Sequence, residues 1–239
     1  MSDQDAAQRY ADYAEARGVL LNAAARRIPN VSLAAQARAL HLWRHNQVEP
    51  GSEAQLACVM DLGVFSPVGG HKPALERILA AAIPPPPGSA DAAMLDAFTR
   101  ARFGLWRMGE RDPRGGITLH DLCGGDDAWV MDAHLEANAV PGMLVAARLA
   151  WPEAFALTCG VLCPMDVRVL LHLIENRPPR NGPVGQFIQP QPFEPLVDQL
   201  LGEDAVPARM AELASDPLLA ANTYRIALDL GLHGPVPGR

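Results

Sequence analysis

Phe103-Gly-Leu-Trp-Arg-Met108, then Asp112-Pro-Arg-Gly-Gly116, then Ile117-Thr-Leu-His-Asp-Leu122 is the stretch that decides the fold. The first and last pieces have strand composition. The middle piece is a reversal, because proline fixes φ and glycine accepts φ > 0. Gly124-Gly-Asp-Asp127 marks a second turn before Ala128-Trp-Val-Met131. Met143 to Leu149 and Phe155 to Val161 flank a short Trp151-Pro152-Glu153 connection. Five short strands at this spacing predict an antiparallel meander curling into a small, SH3-like barrel.

A β unit of roughly sixty residues buries only ~60% of the surface its unfolded chain exposes, so it must lean on neighbours. Period-two spacing puts Trp106 and Met108 on one strand face, and likewise Trp129 and Met131, available for contact with helices. Phe103, Leu105, Leu119, Val130, Val145, Leu149 and Leu157 are then the interior positions. Which face is inside stays open.

Outside this stretch the sequence reads as helices, so the expected class is α+β and mostly helical. Apolar residues from Ala7 to Leu21 recur at helical period, in one helix or two broken at Gly18. Ser32 is a candidate N-cap for a helix from Leu33 to Arg44, and Ser52 with Gln55 forms a capping-box pattern opening Glu53 to Val64. Pro73 suits the first position of Ala74 to Ala82. Pro84-Pro-Pro-Pro-Gly88 is a stiff spacer, and Ser89 caps Ala90 to Ala101. Asp166 to Glu175 is a further helix. Residues 177–195, rich in Pro and Gly, read as an exposed loop or binding arm, followed by short helices. The organisation expected is an N-terminal helical region (1–83), spacer and connecting helix (84–101), β unit (102–164) and C-terminal helices (165–239). The last helix carries the stripe Leu218, Leu219, Tyr224, Ile226, Ala227 and Leu230, so it should pack back on the rest.

Charge and composition remove several function classes. A net charge of −7 gives no attraction for phosphate backbones, and Phe103 to Cys163 holds four Arg against eight acidic residues, so nucleic acid is disfavoured. The opening Met1-Ser-Asp-Gln-Asp5 has no signal-peptide pattern, and no window reaches the ~20 apolar residues of a membrane span. A soluble cytoplasmic protein is expected, with Cys58, Cys123, Cys159 and Cys163 as buried thiols.

Candidate chemistry is thin. His41 and His45 stand four apart on a predicted helix, a metal-ligand spacing, but Arg44 between them repels cations and a solvated helix edge is the preferred reading. Val68-Gly-Gly-His-Lys72 precedes a helix without Walker A spacing. His120 and Asp121, with Cys123, Asp126, Asp127 and His134, form the densest polar set, yet His120 and Cys123 fall on opposite strand faces. No catalytic residue, cofactor or metal is therefore assigned. The expected function is a non-enzymatic protein-interaction or scaffold role, the partner being another protein, through Trp106, Trp129 and Trp151, since Trp is enriched at binding hot spots. One alternative is an enzyme gathering His120, Asp121, His134 and Arg148 between barrel and helices. The other is an RNA- or ribosome-associated barrel.

Ala101 to Met108, Asp121-Leu122, Gly125 to Val130, Pro141 to Leu149 and Phe155 to Thr158, with Asp61 to Pro67, resemble an uncharacterised proteobacterial family of hypothetical proteins, which implies no activity. The β pattern is also loosely similar to segments flanking SEC-C motifs. The Cys-rich metal motif itself is absent, so no ligand or partner carries over.

Overall fold

The computed structural model describes all residues except 1–2, 82–83, 177–193, 204 and 234–239. Most of the loop expected at 177–195 lies outside the described residues. Helices α1 (Asp3–Ala25) and α2 (Asn30–Ala39) precede a hairpin of β1 (Trp43–Arg44) and β2 (Gln47–Val48), then α3 (Glu53–Phe65), α4 (Ala74–Ala81) and α5 (Ala90–Thr99). Strands β3 (Arg102–Arg111), β4 (Ile117–Asp121) and β5 (Ala128–Val130), helix α6 (Ala133–Asn138), and strands β6 (Leu144–Ala150) and β7 (Leu157–Met165) follow. The chain continues through α7 (Val167–Glu175), α8 (Glu194–Leu201), α9 (Val206–Ala214) and α10 (Leu219–Asp229). The class is α+β, as the sequence predicts.

Neither the barrel nor the simple meander forms. The sheet is open, with order β5-β4-β3-β6-β7, so β6 crosses to the far side of β3. Every neighbouring pair is antiparallel, which leaves the edge strands β5 and β7 running in the same direction. Closure would need a parallel ladder between them. It stops at one bridge, Val130 with Ala156, where Met131 N donates to Ala156 O (2.9 Å) and Ala156 N to Trp129 O (2.8 Å). The crossover to β6 runs through α6, which the sequence reading did not contain. Asp132 starts it by accepting from His134 N and Leu135 N.

The predicted helix from Leu33 to Arg44 also ends early. His41 adopts a left-handed φ of 59°, Leu42 N donates to Ala37 O (2.8 Å) and His41 N to Arg38 O (3.1 Å), the Schellman pattern of a helix end. His45 and Asn46, both at positive φ, then form the two-residue turn between β1 and β2. His41 and His45 therefore sit in two separate turns. The helix start differs as well: α2 begins at Asn30 after Pro29, and Ser32, the candidate N-cap, is buried inside the helix. The caps expected at Ser52 and Ser89 do form: Ser52 Oγ accepts from Gln55 N (3.2 Å), and Ser89 Oγ from Ala92 N (3.2 Å).

The two sheet faces are filled in the opposite sense to the tryptophan expectation. Phe103, Leu105, Leu144, Ala146 and Cys163 face the helices and join residues of α2, α3, α7, α9 and α10 in one apolar cluster. Trp106, Met108, Leu119, Val130, Val145, Ala147 and Leu149 fill the other face, with Leu135 of α6 among them. A third cluster joins α1, α4 and α5 to Phe155, Leu157 and Cys159, so apolar contact crosses the proline spacer. In α10, Leu219, Tyr224, Ile226 and Ala227 are buried, whereas Leu218 of the predicted stripe is exposed.

Trp106 is fully buried, its Nε1 donating to Ala147 O (3.1 Å), with its ring lying back along its own strand. A Cβ on Gly104 would come within 2.6 Å of that ring, so only glycine fits. Gly104→Ala is expected to lower stability by about 1–3 kcal/mol through overpacking. Gly18→Ala, in the middle of α1 with nothing within 4 Å of the added carbon, should raise it by about 0.5–1 kcal/mol. Urea midpoints of the two variants moving the same way would contradict this packing.

Candidate functional site

The residues expected to carry function are dispersed. Arg148 is buried and committed: its Nε and Nη2 donate to Asp61 Oδ1 (3.2 Å) and Oδ2 (3.1 Å) on α3, and Tyr224 of α10 donates its hydroxyl to the same Oδ2 (3.1 Å). Phe65 and Phe103 rings lie 4.7 and 5.6 Å from the guanidinium. Burial alone would push this group down, but Asp61 beside it holds it above its ordinary value. It is a permanent cation inside the fold.

Trp106 is core. Trp129 is half-buried, donating Nε1 to Gly115 O (2.8 Å) beneath the Arg114 guanidinium (3.8 Å from the ring). Trp151 is half-buried, and Arg102 lies between it and Trp106, 5.7 and 5.4 Å from the two rings. That same Arg102 reaches Asp121 Oδ2 (3.3 Å), whose other oxygen accepts from Cys123 N (2.8 Å). His134 is exposed in the first turn of α6. His120 faces away from Asp121, because the β3–β4 register pairs Asp121 with Trp106 and His120 with Arg107. His120, Asp121, His134 and Arg148 thus do not converge on one pocket.

The remaining candidates are structural turns and closed thiols. Val68 and His71 bond each other across Gly69 and Gly70 (3.2 and 2.9 Å), and Lys72 pairs with Glu76 (3.1 Å). Burial pushes the thiols of Cys58 and Cys123 up to about 12, and those of Cys159 and Cys163 up as well. Such thiols are protonated at neutral pH and are poor nucleophiles. Among the described residues, no three or more His, Cys, Asp or Glu side chains are grouped as a metal ion would require. No described helix is long and apolar enough to cross a membrane.

A cleft of about 380 Å³ does form, where β3 and β4 meet α8 and α9. His120 and Asp121 line it from β4 and Leu122 from the turn after it, Arg107 from β3, and Asp198, Leu201 and Pro207 from the helical side. Arg107 Nη2 spans the cleft to Asp198 Oδ1 (2.6 Å), and His120 Nδ1 lies 2.8 Å from Asp127 Oδ2. The His120 ring rests on Gly109, where a Cβ would meet its Nε2 at 2.6 Å. Sequence reasoning picked out His120 and Asp121 but missed Arg107 and Asp198. Only strand register sets Arg107 opposite His120, and only tertiary packing brings α8 to β3.

Fold and cleft together define an α+β protein in which helices cover one face of an open five-stranded sheet and leave a groove at one end of it. Residues 4–177 match the family described as Family of unknown function (DUF7986), and the chain belongs to that family. This bears out the resemblance to an uncharacterised family. No curated protein and no solved structure matches the chain.

The Asp61–Arg148–Tyr224 unit makes a testable claim about what Arg148 is for. Asp61→Ala strands a buried guanidinium and is expected to cost about 3–5 kcal/mol. Tyr224→Phe removes one of several bonds to the carboxylate and should cost about 0.5–1.5 kcal/mol. Chemical denaturation of both and of the double variant is the check: the tyrosine effect should largely vanish once Asp61 is gone, and strict additivity would show that the three are independent.

Proposed function

We propose that this is a non-enzymatic protein-interaction protein whose binding surface is the groove between the β3–β4 end of the sheet and α8–α9. The observation that carries it is the composition of that groove. Leu122, Leu201 and Pro207 offer apolar contact, while Arg107, His120 and Asp198 offer hydrogen-bonding groups, the mixture of apolar contact and polar rim that protein interfaces use. Two ion pairs reach solvent here, Arg107–Asp198 in the lining and His120–Asp127 beside it, and such pairs are worth only about 0–1 kcal/mol, so a partner can rearrange them at small cost. Trp129 and Trp151, each half-buried, make intramolecular contacts and stand outside the groove lining. Four buried free thiols suit a reducing compartment, so a cytoplasmic location goes with this reading.

The test is site-specific photo-crosslinking of the full chain in its native cells. A photoreactive residue at position 120 or 201, on opposite walls of the groove, should trap the same partner polypeptide. One at position 19 on α1, where Val19 is 58% exposed, should not. Adducts that do not depend on position, or none from either groove position, would overturn the proposal.

A further inference from the structure

Just beyond α10 a histidine is shut inside the fold. The helix ends in a Schellman turn: Gly231 takes a left-handed φ of 77°, its N donates to Leu228 O (3.0 Å), and Leu232 N donates to Ala227 O (3.0 Å). That turn lays Leu232 against the main apolar cluster and brings His233 to the start of α3. There the His233 carbonyl accepts from Ser52 Oγ (3.3 Å), the N-cap, and from Gln55 Nε2 (3.4 Å). His233 is 9% exposed, and its Nε2 is closed to water and has no partner. A neutral imidazole fits that position as the tautomer with its proton on Nδ1, whereas an imidazolium carries N–H on both ring nitrogens. Its Nε2–H would be a buried, charged donor without an acceptor, and a group in that state is expelled to water rather than kept.

We infer that residues 231–233 form a proton-operated latch, docked on the start of α3 while His233 is neutral and released when it takes up a proton, which uncovers Leu232 and removes the acceptor of Ser52 and Gln55. The other charged groups on the two packed elements do not give this response. Glu53 is exposed in the first turn of α3; on α10, Arg225 Nη2 donates to Asn222 Oδ1 (3.3 Å) and Asp229 faces His41 (3.4 Å). Protonation of His41 strengthens its pair with Asp229, so acid acting there tightens the end of α10. Burial alone holds His233 below its ordinary value of 6.5, with no contribution from these charges. The latch is therefore complete above about pH 6.5 and weakens as pH falls below it, its docking equilibrium dropping by about tenfold per pH unit.

The test is a titration of the isotope-labelled full chain from about pH 8 to about pH 5, followed by NMR at the His233 ring, the Gln55 side-chain amide and the Leu232 backbone amide. The ring signal, assigned by its absence in His233→Phe, should titrate with a midpoint below 6.5. Leu232 and Gln55 should move to their free-chain positions with that same midpoint, since one event releases all three. In His233→Phe, whose ring takes up no proton, Leu232 and Gln55 should stay fixed over the whole range. His233→Gln should behave alike, and it serves where the phenyl ring does not seat. The Trp106 Nε1–H signal, from the other face of the sheet, should stay in place throughout and report the intact fold. A ring midpoint at or above 6.5 overturns the inference. So does a ring that titrates while Leu232 and Gln55 stay docked, or an acid shift of those two that persists in both variants. If neither variant docks at any pH, coincidence of the three midpoints in the unaltered chain decides: separate midpoints reject the latch.

Discussion

The structure hangs on one buried charge. Asp61 and Arg148 have left water together, and each alone would be strongly destabilising in that position. Only the pair, closed by the Tyr224 hydroxyl, is tolerable, and it can close only when α3, β6 and α10 are all in place. A well-packed apolar substitute could be equally stable or more so. What the ionic version adds is register: an apolar helix face can slide by a turn at modest cost, whereas a two-bonded guanidinium accepts a single position of its carboxylate. The helical layer is thereby fixed on the sheet at one place, and every apolar contact around it follows.

That fixed position explains where the groove lies. Along β3, Phe103, Leu105 and Arg107 alternate onto the same face, and the first two are covered by the helices. By Arg107 the face has become polar, its cross-strand neighbour is His120, and α8 stands to one side. On the other face Trp106 and its neighbours form a closed apolar cluster, with Leu135 of α6 packed among them. The tryptophans that looked like binding residues are thus partly consumed by the fold. The polar end of the same strand is what the helices leave uncovered.

Alternation, turn residues and caps were legible in the chain, and they gave the five strands, the α+β class and most helix starts. Three features were not. Closure of a barrel depends on whether edge strands can pair, which five short alternating runs do not reveal. Helix α6 buries Leu135 at its centre, so it has almost no apolar period, and Asp132 was its one local sign. The end of α2 relies on a histidine in the left-handed conformation, where glycine would have announced the stop. The groove was legible only in part: His120 and Asp121 stood out as a polar cluster, but Arg107 read as one more strand residue until pairing set it beside His120. Asp198 comes from a helix 91 residues further on, and no local pattern links the two.

The family match ends at residue 177, whereas Tyr224, which completes the buried ionic unit, lies in α10 beyond it. A region alike in sequence and a region able to close its own interior are therefore different lengths of this chain. During synthesis Tyr224 follows Asp61 by 163 residues, which at ordinary elongation rates is roughly ten to thirty seconds. From the time β6 is made until then, the nascent sheet face bearing Phe103, Leu105 and Ala146 lacks the covers that α9 and α10 supply.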